Sequence, residues 1–147
     1  MGKIPIAYIE IGMFAHATED EEKVLKSVHA VIPTEHLEKV TFKKERLKGE
    51  YGNPIIFFKA KVREPQTIEA IVKHLSLNLT QRDKEKVLRE FDLRLDEGSL
   101  YIRLDKQSAL KKSLKLCRAD PIHIKIRFKA KKAQKVAEIC RQMGIIP

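Results

Sequence analysis

Apolar and polar residues alternate along several stretches of the chain, which is the pattern of strands that bury one face. The clearest stretch is Pro121 to Lys129, in which isoleucine or phenylalanine takes every second position and basic or potentially basic residues lie between them. It predicts a strand with one apolar and one basic face. Comparable patterns predict strands at Ile4 to His16, Leu37 to Lys48, Pro54 to Arg63, Asp92 to Asp96 and Ser99 to Leu104. In the first of these, the expected inward set is Ala7, Ile9, Ile11, Met13 and Ala15.

Apolar residues at helical spacing, preceded by capping signals, predict helices between these strands. In the first helix Thr18 and Glu21 form a capping-box pair, and Pro33 ends the helix. The element order is β α β β α α β β α β α. It predicts a single α+β domain, residues 1 to 147, with a mostly antiparallel sheet covered by helices. The later helices are expected at Pro65 to Asn78, Thr80 to Phe91, Asp105 to Arg118 and Lys131 to Met143.

Length and composition are those of a globular domain. The chain has 147 residues, of which 43 % are apolar and 34 % are charged. Its two cysteines, Cys117 and Cys140, lie among apolar neighbours, so we predict two unpaired core thiols rather than a disulfide. No apolar run approaches the roughly 18 residues that span a bilayer. We therefore expect a cytoplasmic protein that does not associate with membranes.

The net charge of +10 is concentrated near the C-terminus. Residues 106 to 135 contain eleven Lys or Arg and one acidic residue, Asp120, whereas basic and acidic side chains balance in residues 1 to 105. A polyanion is the natural partner of such a block. A thermostable surface with many lysines is the alternative, but it does not explain why acids are missing here. Besides the strand, the block contributes Lys106, Lys111, Lys115 and Arg118 from one predicted helix and Lys131 and Lys132 from the next.

The hairpin predicted between residues 37 and 63 is a second basic feature. Tyr51 in its turn offers a ring that can stack on a base. Such a ribbon can lie along a phosphate backbone, or it can be a solvated edge whose lysines discourage aggregation. Its basic residues are Lys44, Arg46 and Lys48 in the first strand and Lys59, Lys61 and Arg63 in the second.

Enzyme signatures are mostly missing. There is no glycine-rich phosphate loop, no cysteine pair with metal spacing and no serine elbow. His123 could act in RNA cleavage, but contact with phosphate is the preferred interpretation. Asp92, Asp96 and Asp105 flank one hairpin and could hold a divalent ion, although turn and capping roles explain them better. We expect no catalytic residue, no metal and no cofactor.

Among polyanions, the pattern favours RNA over DNA. No helix pair has the base-reading residues of a helix-turn-helix, and no finger or zipper pattern occurs. Candidates for exposed aromatic residues are few, namely Tyr51, Phe57 and Tyr101, which argues against a single-strand stacking platform. Many phosphate donors and few base readers favour structured or double-stranded RNA recognised by its shape.

Four segments together resemble a family of small archaeal RNA-binding proteins described as predicted exosome subunits. They are AHATEDEEKV (15–24), EYGNPI (50–55), LYIRLDKQSAL (100–110) and DPIHIKIRF (120–128). The third is the most specific, particularly at Arg103, Asp105, Lys106 and Gln107. Members of this family are similar in fold to the ribosomal protein that holds 5S rRNA in the large subunit. The resemblance implies an archaeal cytoplasmic protein that binds RNA without established catalysis.

We therefore predict a non-catalytic RNA-binding protein that acts in archaeal RNA processing with the exosome or is attached to the ribosome. The alternatives are a ribonuclease that uses Asp or His with a divalent metal, and a protein-binding adaptor of an RNA-processing complex. The expected ligand is structured RNA, with rRNA as one candidate. The residues expected to contact it are Lys44, Arg46, Lys48, Tyr51, Lys59, Lys61, Arg63, Arg103, Lys106, Lys111, Lys115, Arg118, His123, Lys125, Arg127, Lys129, Lys131 and Lys132.

Overall fold

Six antiparallel strands form one sheet in the computed structural model, which describes residues 4–147. The strands are β1 (Ile6–Ala15), β2 (Lys43–Lys48), β3 (Pro54–Val62), β4 (Leu95–Asp96), β5 (Ser99–Asp105) and β6 (Pro121–Phe128). Their spatial order is β2-β3-β1-β6-β5-β4, which places the first and last strands side by side at the centre. The predicted α+β fold with an antiparallel sheet is confirmed. Residues 1 to 3 of the predicted domain lie outside the described residues.

Helices separate the strands where predicted, with one additional short helix, Phe91–Arg94, before the fourth strand. They are α1 (Glu21–Lys26), α2 (Pro65–Asn78), α3 (Gln81–Arg89), α4 (Phe91–Arg94), α5 (Lys106–Leu110) and α6 (Ala133–Met143). Thr80 caps α3 as predicted, because its hydroxyl accepts a hydrogen bond from Asp83 N at 3.1 Å. The predicted cap at Thr18 is wrong, since Asp20 accepts from Glu22 N at the start of α1. Within residues 4–147, no helix combines the length and apolar character needed to cross a membrane.

Strand alternation places the hydrophobic core on one face of the sheet. Ile11 of β1, Ile124 of β6 and Ile102 of β5 are adjacent in register and almost fully buried. Helix α2 packs on β1, and its Ile71 and Leu75 are fully buried in the same cluster. Side chains of the opposite parity, such as the exposed lysines of β3, are left on a face that we call the open face. The helices therefore cover one side of the sheet.

A bulge at the start of β1 changes which residue points into the core. The pairing of β1 with β6 shifts register between Ile6 and Tyr8, and Ile6 is buried whereas Ala7 is exposed. An extra residue in one strand reverses the alternation locally. The prediction that Ala7 faces inward is therefore wrong, while Ile9, Ile11, Met13 and Ala15 are buried as expected.

Two predicted strands are shorter in the structure. Thr34–Lys39 forms a 3-10 helix, so the first hairpin strand begins at Lys43 instead of Leu37. Most of the stretch from Asp92 to Asp96 belongs to α4, and only its last two residues pair with β5. In both cases a short apolar run was ambiguous between helix and strand.

Helix α5 ends at Leu110, and the prediction that it continues to Arg118 is wrong. Lys112 adopts a left-handed backbone conformation with φ of 61°, which a right-handed helix cannot contain. The chain then runs beside β5, where Leu116 forms a bridge with Leu104 and Cys117 N donates to Arg103 O at 3.1 Å. This hydrogen-bonded edge replaces the predicted outer helix face.

Both cysteines are unpaired, as predicted. Cys140 is fully buried in α6, and burial raises its thiol pKa to about 12. Cys117 is half-buried beside β5 and is not part of the core. Burial and the negative charges of Asp105 and Asp120 raise its pKa as well.

Candidate nucleic-acid interface

Side chains from five strands form rows across the open face. One row contains Lys43, Lys59, Gly12, His123 and Arg103, contributed in order by β2, β3, β1, β6 and β5. The adjacent row contains Lys61, Glu10, Lys125 and Tyr101. Antiparallel register thus joins basic residues that are far apart in the sequence into one surface.

The carboxylate of Glu10 lies at the centre of this surface. Lys59 Nζ is 3.0 Å from Glu10 Oε2, and Lys125 Nζ is 3.6 Å from Glu10 Oε1. Burial tends to raise the Glu10 pKa, but the hydrogen bond and charge of Lys59, followed by the charges of Lys125 and Lys61, hold it below its ordinary value. Glu10 is therefore ionised at neutral pH and orients two lysines.

Aromatic rings lie between the charges. Lys61 Nζ is 4.1 Å from the centroid of the Tyr8 ring, and the Phe14 and Phe57 rings are 4.7 Å apart. Tyr8, Phe14, Phe57 and Tyr101 are all half-buried on the open face. Among residues 4–147 Tyr51 is the one exposed aromatic, so few exposed aromatics occur, as expected, but the half-buried Tyr8 and Phe14 of this face were missed. Their signal was in the sequence, because both share the parity of Glu10 in the first strand.

Lys125 is held by these neighbours. Burial lowers its pKa, but a hydrogen bond with Tyr8 and the nearby Tyr101 and Glu10 outweigh that effect and raise the pKa above its ordinary value. Its ammonium lies 5.7 Å from the Tyr8 ring centroid and 6.0 Å from that of Tyr101. Lys125 is thus a fixed positive charge among aromatic rings.

A shallow depression of about 170 Å³ lies above Gly12. Phe57, Tyr101 and His123 form part of its wall, together with Glu10, Lys59 and Lys125. Burial and the charge of Arg103 lower the pKa of His123, so its imidazole is neutral at neutral pH. The centre of the open face therefore offers rings, a carboxylate and two ammonium groups around a space without a side chain.

A longer basic groove of about 770 Å³ extends from Glu10 to the β2 and β3 side of the sheet. It is lined by Lys43, Lys59 and Lys61, and by Arg63 just beyond β3. The sequence predicted the last three of these four residues. The groove brings together cations from both strands of the hairpin, and it opens next to the depression above Gly12, with which it shares Glu10 and Lys59.

The other predicted residues of the hairpin point away from this surface. Lys44 and Arg46 are in register with Phe58 and Ile56, whose side chains enter the core, and Lys48 shares their parity. Lys44 Nζ forms an ion pair with Glu21 of α1 at 2.5 Å. The six predicted cations of the hairpin therefore do not share one face, because alternation divides them between two faces. Tyr51 is 87 % exposed at the tip.

Residues 8–128 match the protein-family model described as RNA binding. The chain belongs to this RNA-binding family. It is 34 % identical over 141 residues to the RNA-binding protein PAB1135 of Pyrococcus abyssi, with 94 % of this chain and 92 % of the relative covered. A crystal structure of protein AF2318 from Archaeoglobus fulgidus superposes with a TM-score of 0.79 at 30 % identity, covering 94 % of this chain and 99 % of that one. The structure of a Methanothermobacter thermautotrophicus protein superposes with a TM-score of 0.78 at 30 % identity, covering 94 % of this chain and 97 % of that one. These relatives are archaeal.

In this member of the RNA-binding family, Lys106 is buried instead of lying on a basic surface. Its ammonium donates to Phe14 O at 2.8 Å, to Glu19 at 3.1 Å and to Asp120 Oδ2 at 2.7 Å. The side chain is 6 % exposed. The prediction that Lys106 is available to RNA is therefore corrected, because its hydrogen bonds are already used inside the protein.

The loop after α5 places Lys115 beside α3. Together with Arg82, Lys86 and Arg89 of that helix, Lys115 lines a groove of about 560 Å³. Asp83 faces the same groove, but its Oδ2 accepts a hydrogen bond from Leu116 N at 3.2 Å. The three helical cations were missed, although their spacing of four and three residues marks one helix face. Lys111 and Arg118 are exposed in this loop, and Arg118 lies 3.6 Å from Glu90.

Arg127 of β6 and Lys131, which follows that strand, lie near the β4–β5 turn. Arg127 Nη1 donates to Glu97 O, and the backbone of Lys131 approaches Gly98. Lys129, Lys131 and Lys132 are exposed. The predicted cations of the C-terminal block are thus divided among the open face, this turn and the α3 groove.

Possible metal ligands converge at one place among the described residues. One donor atom each from His16, Glu19 and Asp120 lies within 4.8 Å of the others. The ammonium of Lys106 already contacts both carboxylates, so a protein cation occupies the position between them. Asp105, from the acidic set considered for a metal, caps α5 by accepting hydrogen bonds from Ser108 N at 3.0 Å and Ser108 Oγ at 2.6 Å.

Proposed function

We propose that this protein binds RNA on the open face of its sheet. The observation that carries the proposal is the row arrangement of Lys43, Lys59, Lys61, Arg103 and Lys125 on one uncovered face, with half-buried aromatic rings between them. Cations bind phosphates by releasing counterions, and rings stack on bases. Membership in the RNA-binding family supports the same function.

We propose that different residues bind the phosphate and the base of a nucleotide. The groove lined by Lys59, Lys61 and Arg63 suits the phosphate backbone, since these side chains reach solvent near the sheet edge. Tyr8, Phe57 and Tyr101 suit bases, which requires nucleotides that are not fully paired. We propose structured RNA with an accessible unpaired segment as the ligand. A fully paired RNA recognised only by its shape would offer no free base to stack on the aromatic rings.

A salt titration with charge-reversed variants tests this proposal. Fluorescence anisotropy of a labelled RNA hairpin with a single-stranded extension should show a logarithmic affinity that falls by about 0.7 to 0.9 per phosphate contact with the logarithm of salt concentration. Lys61→Glu with Arg103→Glu should reduce both affinity and slope strongly. The control, Lys23→Glu with Lys73→Glu, makes the same charge change on exposed positions of α1 and α2. Equal losses in both double variants would show that net charge, and not the open face, binds RNA.

We further propose that the protein binds RNA without cleaving it. His123 is neutral but lies next to Arg103, and both carboxylates of the described cluster near His16 are already paired with Lys106. Neither arrangement provides an acid and base pair around an open substrate position. Labelled RNA incubated with the protein and Mg²⁺ should remain intact over hours. Cleavage that disappears in His123→Ala would instead support the ribonuclease alternative.

For the cellular partner, we propose that the protein acts in the cytoplasm of archaea with the exosome or the ribosome. The support is the resemblance of the segments around Tyr51, Arg103 and Ile124 to predicted exosome subunits, and the fold relation of that family to the 5S rRNA-binding protein. Cosedimentation with purified large ribosomal subunits or with reconstituted exosome tests the two cases. Nuclease treatment separates direct contact from association bridged by RNA.

A further inference from the structure

The depression above Gly12 is the feature of the open face that a phosphate-binding surface alone does not explain. Its volume of about 170 Å³ is below the roughly 300 to 1,000 Å³ of sites for drug-sized ligands, so it suits one planar ring. We propose that this depression holds a single unpaired base of the bound RNA and that Glu10 selects a base with adjacent N–H donors, guanine above the others. This inference rests on the proposed function and adds base selection to it.

Gly12 lines the depression and leaves room for the Phe57 ring that forms part of its wall. It belongs to the central strand and lies in register with Lys59 on one side and His123 on the other. A Cβ at this position would lie 3.0 Å from Phe57 Cζ and 3.2 Å from Phe57 Cε1. Any other residue would therefore displace the Phe57 ring or fill the depression. The ring approaches closely because the position has no side chain.

The charge pattern favours a base over a phosphate at the centre. The ionised carboxylate of Glu10 repels a phosphate placed directly above it, whereas Lys59 and Lys125 on either side attract phosphates. The aromatic walls, Phe57 and Tyr101, present faces or edges to a planar ring. A strand of RNA crossing the sheet can thus place its backbone on the lysines and one base between them.

Glu10 retains the capacity to accept hydrogen bonds from that base. A carboxylate offers about four lone-pair positions. Lys59 contacts Oε2 at 3.0 Å, but Lys125 lies 3.6 Å from Oε1, outside hydrogen-bond distance. Guanine presents two adjacent donors, N1–H and the N2 amino group, on its Watson–Crick edge. The other three bases present a single donor group there, so guanine pairs best with a carboxylate.

Single-base substitution in an otherwise uniform ligand tests the proposal. The probe is a labelled oligouridine whose central nucleotide is uridine, cytidine, adenosine, guanosine or an abasic residue, measured by anisotropy at constant salt. We expect the guanosine probe to bind about tenfold more tightly than the abasic probe, the size of one good bidentate base contact. Glu10→Gln should remove the preference for guanosine, because a carboxamide has one acceptor oxygen and adds a donor.

A matched variant separates base selection from charge. Glu45→Gln also removes one negative charge from the open face, at an exposed position of β2 outside the depression, and should keep the preference. Phe57→Leu, which removes the ring but no charge, should weaken binding of the guanosine probe more than of the abasic probe. If Glu10→Gln does not unfold cooperatively on heating and is therefore not folded, Phe57→Leu still tests whether the depression binds the base.

Equal affinity of the wild-type protein for all five probes would overturn the inference and leave salt-dependent RNA binding intact. A guanosine preference that survives unchanged in both Glu10→Gln and Phe57→Leu would overturn it too. If the wild-type protein bound none of the probes and no structured RNA at low salt, the proposed function itself would fail.

Discussion

The ammonium of Lys106 lies 2.7 Å from Asp120 Oδ2, which joins the start of α5 to the residue before β6. The same ammonium contacts the backbone of Phe14 and the carboxylate of Glu19. These contacts bring the end of β1 and the segment before α1 to the same point. The two residues therefore hold the sheet and helices together, while the other basic residues of the C-terminal block are left for the surface.

Removing the Lys106 ammonium should destabilise the fold. Lys106→Met keeps an unbranched side chain but removes the ammonium that Asp120, Glu19 and Phe14 O share. The carboxylates are 39 % and 24 % exposed, so water compensates in part, and we expect a loss of about 1–3 kcal/mol in the free energy of unfolding. Urea denaturation measures it. The exposed control Lys111→Met should change stability by less than about 0.5 kcal/mol; similar effects of both substitutions would contradict a structural role for Lys106.

The same network predicts part of the acid sensitivity. Burial tends to raise the pKa of Asp120, but hydrogen bonds and charge from Lys106 and His16 hold it below its ordinary value of 3.8. A carboxylate with a depressed folded-state pKa stabilises the fold fully above its unfolded pKa, and this contribution is lost as the pH falls through the folded-state value.

Asp120→Asn should therefore flatten the decline in stability below pH 3.8. Asparagine tolerates the left-handed backbone that Asp120 adopts, with φ of 46°, so the substitution tests charge instead of strain. Urea denaturation at neutral pH and at a pH below 3.8 gives the comparison. Asp92→Asn, at an exposed position of α4, should retain the wild-type decline. An unchanged acid response in Asp120→Asn would remove Asp120 from the explanation.

The two thiols should differ in reactivity. Burial raises the pKa of Cys140 to about 12, and its side chain has no access to solvent. The pKa of Cys117 is also raised, but its side chain is only half-buried. Because the thiolate is the reactive form, iodoacetamide should alkylate Cys117 slowly and Cys140 only after unfolding. Mass spectrometry of peptides with and without urea distinguishes the sites. Labelling of Cys140 at the native rate of Cys117 would indicate that α6 opens from the core.

Alternation along single strands was enough to predict most of the sheet. In β6 and β3 the apolar side chains at alternate positions are buried as expected. A strand with one basic face can place only its other face against the core. The sequence could not show that Tyr8 and Tyr101 would join Lys125 on the open face, because this depends on pairing between distant strands.

Charge counting failed where tertiary contacts determine the environment of a cation. Lys106 resembles the other lysines of its block in the sequence, yet it alone among them is buried, because acidic groups from Glu19 and Asp120 converge on it. Likewise, Lys115 meets α3 only because the backbone turns at Lys112. Neither relation has a local sequence signal.

The division of the hairpin into two faces leads to the sharpest test of the interface. Lys61 and Arg63 line the groove beside Glu10. Arg46 and Lys48 are at the alternate positions of β2, whose side chains point away from the open face. Lys61→Ser with Arg63→Ser should lower RNA affinity and reduce the salt slope by about 0.7 per lost phosphate contact. Arg46→Ser with Lys48→Ser removes the same charge from the same hairpin and should leave the slope nearly unchanged. Anisotropy titrations at several salt concentrations measure both, and a larger effect of the second pair would place RNA on the opposite side of the ribbon.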